Sequence, residues 1–114
     1  PPFPNLFFFF ADEMDDGGAY LRGITADFVQ RYNPRMYSPP QYAAWILAPV
    51  VLHQGTADDA VPLQWSNTFA DKMEYLNKDI TYYIYQDEDH NFTQGSWTTL
   101  IQRDLQFFRK NLNL

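Results

Sequence analysis

A chain of 114 residues has room for one small domain, and a net charge of −6 argues against a protein that grips nucleic-acid phosphates, which presents a basic face. With 46% hydrophobic and 19% charged residues the composition fits a packed core and not a disordered tail. No cysteine is present, which excludes a disulfide framework, a thiolate zinc site and a cysteine nucleophile. Ten Phe, eight Tyr and three Trp carry more apolar area than so short a chain buries by itself. Together with Pro1 in place of an initiator Met, this leads us to expect part of a longer protein.

Residues 1–18, with three prolines, the Phe7–Phe10 run and an acidic cluster, follow no single pattern and read as an irregular lead-in. From Ala19 to Tyr32 the apolar residues Tyr20, Ile24, Phe28 and Tyr32 recur every four positions, which predicts an amphipathic helix weakened by Gly23 and stopped at Asn33-Pro34. Ser38-Pro39-Pro40 punctuates the chain. Pro49-Val50-Val51-Leu52-His53 is a continuous apolar run that predicts a strand buried on both faces. The loop from Gly55 leads through Pro62 into a helix whose core stripe is Trp65, Phe69, Met73 and Leu76.

Asp79–Tyr85, rich in β-branched and aromatic residues, predicts a second strand. After the acidic loop QDEDHNFTQG, Ser96 is placed to cap a last helix on which Trp97, Ile101, Leu105, Phe108 and Leu112 form an apolar stripe. Trp65, Trp97 and the tyrosines of the second strand read as core. Strand, helix, strand, helix implies parallel strands alternating with helices, an α/β fold. No apolar stretch approaches the length of a membrane span.

In open α/β sheets the reactive groups gather in loops beyond the carboxyl ends of strands. The first such loop carries Asp58 and Asp59, and the second carries Asp87, Glu88, Asp89 and His90. A carboxylate from one loop and an imidazole from the other are two-thirds of a nucleophilic triad. The third member is missing: none of Ser38, Ser66 and Ser96 lies in a G-x-S-x-G elbow. With two histidines and neither H-E-x-x-H nor D-x-D-x-D-G, neither a metal nor another cofactor is expected. Asn91-Phe92-Thr93 matches the glycosylation pattern by chance on this reading, because a glycan there would obstruct His90.

The segments APVVLHQGTADDAVPLQWS and YYIYQDEDHNF resemble the carboxyl-terminal end of the α/β-hydrolase domain of prolyl oligopeptidase family serine peptidases, over about Tyr42 to Leu112. The resemblance implies that Asp58 is the triad acid, with Asp59 the runner-up, and that His90 is the base. His53 is left a structural residue. It also implies the order Ser, Asp, His, with the serine about 80 residues before the acid and so outside this chain. The sequence departs from the family pattern at Gln54, between His53 and Gly55, and at Asn91, which follows His90.

Residues 1–40 are then a variable insertion with one helix, and residues 41–114 the strand-helix-strand-helix end of the catalytic domain. The expected activity is hydrolysis of peptide or small ester bonds, with the rest of the catalytic domain as partner and these 114 residues inert alone. Two alternatives stand beside it: a carboxylesterase or dienelactone-hydrolase-like enzyme, and an inactive hydrolase-like binding module.

Overall fold

The computed structural model describes Asp16 and residues 19–112. The Phe7–Phe10 run lies outside the described residues. The chain divides into two compact units, Pro1–Ala43 and Ala44–Leu114.

In the first unit, helix α1 spans Ala19–Arg31. Its opening turn is held by the Asp16 carboxylate, which accepts the Tyr20 N–H at 2.8 Å, and its last turn by Arg31 paired with Asp27 at 2.9 Å. The expected apolar stripe does not form a buried face: Tyr20, Ile24 and Tyr32 are exposed, and Thr25 is the buried residue of the helix. A spacing of four drifts about 40° per step on a helix of 3.6 residues per turn, so Tyr32 has turned about 120° from Tyr20. Phe28, Tyr32 and Tyr37 form a ring cluster, with Phe28 5.0 Å from Tyr32 and 5.6 Å from Tyr37. Asn33 accepts the Arg35 N–H at 3.1 Å and opens the 3₁₀ turn Pro34–Tyr37.

The second unit is a three-layer α/β arrangement. Strands β1 (Val50–Gly55) and β2 (Ile80–Tyr85) pair in parallel, with Val50 opposite Ile80 and Gly55 opposite Tyr85. Helix α2 (Leu63–Tyr75) follows β1, and helix α3 (Trp97–Leu112) follows β2. Because side chains alternate along a strand, Gln54 and Tyr82 face one helix and His53 and Tyr83 the other. On the first face Ser66 of α2 bonds Gln54, and the Tyr82 hydroxyl donates to Asn67 Oδ1 at 2.8 Å. On the second face Asp104 of α3 meets His53, and the Arg103 guanidinium sits 4.1 Å over the Tyr83 ring. Met73, with no exposed surface, and Ala70 are buried on the α2 face of the sheet, and Tyr85 and Leu100 on the α3 face.

Helix α2 ends in a left-handed turn at Asn77 (φ 53°), where the Lys78 N–H reaches the Met73 carbonyl at 2.9 Å and the Asn77 N–H the Glu74 carbonyl at 2.9 Å. Among the expected core residues, Met73 is buried, while Trp65, Phe69 and Leu76 are half-buried. The continuous run of β1 is likewise only half-buried from Val50 to His53.

Helix α3 departs further from its sequence pattern. Its apolar stripe, from Trp97 at 55% to Leu112 at 60%, is exposed, so Trp97 is not a core residue. The sheet face beneath α3 carries His53, Tyr83 and Tyr85, whose polar atoms and rings are matched by Asp104 and Arg103. That match turns the flank with Leu100, Arg103, Asp104 and Phe107 toward the sheet.

Candidate active site

The two loops that follow the strands are stitched together by main-chain bonds. The Thr56 N–H donates to the Tyr85 carbonyl at 2.9 Å, the Ala57 N–H to the Glu88 carbonyl at 3.0 Å, and the Asp87 N–H to Thr56 Oγ1 at 2.8 Å. Gly55 permits this approach, since a β-carbon there would stand 2.1 Å from the Glu88 carbonyl oxygen.

In this setting Asp58 and His90 meet, with Asp58 Oδ2 2.9 Å from His90 Nδ1. A carboxylate only accepts, so Nδ1 carries the donated proton and Nε2 is left as the basic nitrogen. The other oxygen, Oδ1, accepts the Ala60 N–H at 3.0 Å and the Val61 N–H at 2.7 Å. These bonds fix the carboxylate plane, and Asp58's side chain is 7% exposed where that of His90 is 51% exposed. Among the described residues, no hydroxyl is bonded to His90 Nε2. Asp59 is exposed and makes no bond to His90.

Gln54, buried at the end of β1, closes the Asp58 loop. Its amide nitrogen donates to the Gly55 carbonyl at 2.9 Å and the Val61 carbonyl at 3.0 Å, with Asp58 Oδ2 further away at 3.3 Å. The Ser66 hydroxyl donates to the amide oxygen and fixes its orientation.

The His90 loop is held from within. Asp89 accepts the Asn91 N–H at 2.9 Å, the Thr93 N–H at 3.1 Å and the Thr93 hydroxyl. The Thr93 hydroxyl and N–H hold the Asp89 carboxyl below its ordinary range, outweighing the opposing effect of desolvation. The same turn supports Phe92 in the left-handed region (φ 55°), a conformation that costs a bulky residue about 1–3 kcal/mol. Phe92 also packs edge-on against Tyr85, with ring centroids 5.2 Å apart.

Of the other candidates, Asp87 is exposed and bonded to the Gln86 amide at 2.7 Å, and Glu88 is buried. His53 is engaged elsewhere, with Nδ1 2.8 Å from the Tyr85 hydroxyl and Nε2 3.0 Å from Asp104 Oδ1. Both ring nitrogens are thus occupied, which suits a structural role between β1 and α3. Among the described residues no group of three or more His, Asp and Glu side chains is placed to hold a metal ion. Sequence reasoning missed Gln54 as a loop closure, although its place in the family pattern marked it as unusual.

Parallel strands whose carboxyl-terminal loops bring an acid to an imidazole are the arrangement of an α/β-hydrolase. The family comparison agrees with that class. The family model described as the prolyl oligopeptidase family matches residues 12–114, and the chain belongs to this family. It is therefore of the serine hydrolase kind. Neither the curated proteins nor the solved structures gave a match. No helix among the described residues is long and apolar enough to cross a membrane.

Proposed function

We propose that these residues supply the acid and the base of a serine peptidase, Asp58 orienting His90 and His90 acting on a serine from outside the 114 residues. The observation that carries this reading is the 2.9 Å pairing of Asp58 Oδ2 with His90 Nδ1, made by a carboxylate whose other oxygen is already saturated by main-chain donors. The serine hydroxyl attacks a peptide carbonyl while His90 Nε2 takes its proton. The imidazolium, stabilised by Asp58, then protonates the leaving amine, and water resolves the acyl-enzyme by the same route. The remaining strands of the sheet, the nucleophile and the oxyanion donors belong to the rest of the catalytic domain, and the exposed apolar stripe of α3 is a surface for it to cover. Without that partner the 114 residues do not hydrolyse substrate.

A fluorophosphonate probe, which labels activated serines, tests this in the intact protein alongside a peptide substrate. Labelling of a serine outside these residues, lost in His90→Ala together with peptide hydrolysis, supports the proposal. Labelling and hydrolysis that survive His90→Ala overturn it.

A further inference from the structure

Glu88 is a buried carboxylate that the reaction above does not use. It is 1% exposed. One carboxylate oxygen accepts the Ser96 N–H at 2.6 Å and the other the Gln94 N–H at 2.9 Å. These bonds close a ring from Glu88 to Ser96, at the foot of α3, and His90 lies inside that ring. On its main-chain side the Glu88 carbonyl accepts the Ala57 N–H at 3.0 Å and lies against Gly55. Glu88 is thus bonded both to the loop that carries Asp58 and to the far end of the loop that carries His90.

We propose that Glu88 is a positioning residue for His90: its carboxylate fixes the span of the His90 loop while its carbonyl fixes that loop against the Asp58 loop. The inference rests on the reading of His90 as the base and adds a residue that neither touches substrate nor exchanges a proton. The charge matters, because two N–H donors converge on two oxygens and an amide offers one acceptor. A glutamine at this position would turn its NH₂ toward Ser96 or Gln94 and leave a donor facing a donor. Burial pushes the Glu88 carboxyl up, but the Ser96 hydroxyl and the Gln94 and Ser96 N–H groups outweigh it and hold the group below its ordinary range.

The experiment compares the intact protein with its Glu88→Gln and Glu88→Asp variants. It reads kcat and KM on a peptide substrate, and the imidazole ¹⁵N and Nδ1–H resonances of His90 with those of His53 as internal control. A residue with a merely structural role would lower stability and leave the His90 signals and kcat of the folded protein in place. For Glu88→Gln we expect kcat to fall about 10- to 100-fold with KM within about threefold, the His90 signals to move and the His53 signals to stay. Glu88→Asp keeps the charge on a stem shorter by one methylene, gives an intermediate effect on the same readouts, and decides the matter should Glu88→Gln fail to fold. Wild-type kcat and unmoved His90 signals in a folded variant that has lost amide protection at Gln94 and Ser96 overturn the inference. Should the base reading itself fail, activity survives His90→Ala, while the His90 resonances still report whether Glu88 places the ring.

Discussion

The α-carbon of Gly55 lies against the carbonyl of Glu88 so closely that a β-carbon there would stand 2.1 Å from the oxygen and 2.7 Å from the carbon. Both partners are main chain, so no side-chain rotation relieves the overlap. Gly55→Ala therefore pushes apart the two loops that carry Asp58 and His90. We expect a loss of about 1–3 kcal/mol in chemical denaturation, together with loss of the His90 Nδ1–H signal of the Asp58 bond. A variant with wild-type stability and an unmoved His90 signal would show that the two loops do not depend on this approach.

Asp58→Asn tests the orientation of the imidazole. The asparagine carbonyl still accepts from Ala60 and Val61, while its NH₂ group faces His90 Nδ1 and favours the tautomer with the proton on Nε2. That tautomer cannot take a proton from a hydroxyl. The expected result is a kcat lower by about 10⁴-fold with KM little changed, and an imidazole whose ¹⁵N shifts have exchanged between the two nitrogens. A loss below about tenfold would remove Asp58 from the acid's role.

The elements of the second unit were legible because each carries a local signal: Val50–Leu52 and Ile80–Tyr85 by β-branched and aromatic content, Pro62 by its fitness for a helix start. The Asp58–His90 pairing was legible through strand-end loops and the family motif. Gln54 and Glu88 were not legible as loop closures, because nothing local distinguishes a polar residue that will be buried and fully bonded from one left in water. The face of α3 was misjudged for a related reason. Its period marks Trp97 to Leu112 as one stripe, but which side meets the sheet is set by His53, Tyr83 and Tyr85, far away in sequence.

Acid should weaken the His90 loop. Glu88 and Asp89 are both held below their ordinary values of 4.5 and 3.8 in the folded state. In the unfolded chain they take up protons first, so stability rises with pH across this range. Their contribution is complete above the unfolded values and is lost as pH falls toward the folded ones. Comparing wild type with Asp89→Asn from about pH 6 to about pH 3, the stability gap should be widest at the upper end and close toward the lower. A gap independent of pH would show that the Asp89 carboxylate charge does not hold the turn.

The exposed stripe of α3 gives the fold-level counterpart of the proposed triad. A helix that turns Ile101, Leu105 and Phe108 to water, all at least 39% exposed, presents a contiguous apolar surface of the kind that binds another surface. If the rest of the catalytic domain covers it, a charge placed there is buried without a partner. In the intact protein we expect Leu105→Asp to cost about 2–4 kcal/mol, from lost apolar burial and from desolvation of the carboxylate. Gln102→Asp, at an exposed polar position on the same helix, should stay within about 0.5 kcal/mol of wild type. Both substitutions add the same charge to the same helix, so the difference between them isolates burial from helix propensity and the helix dipole. Equal small losses at the two positions, read by denaturant unfolding, would mean that the stripe faces water in the intact protein as well.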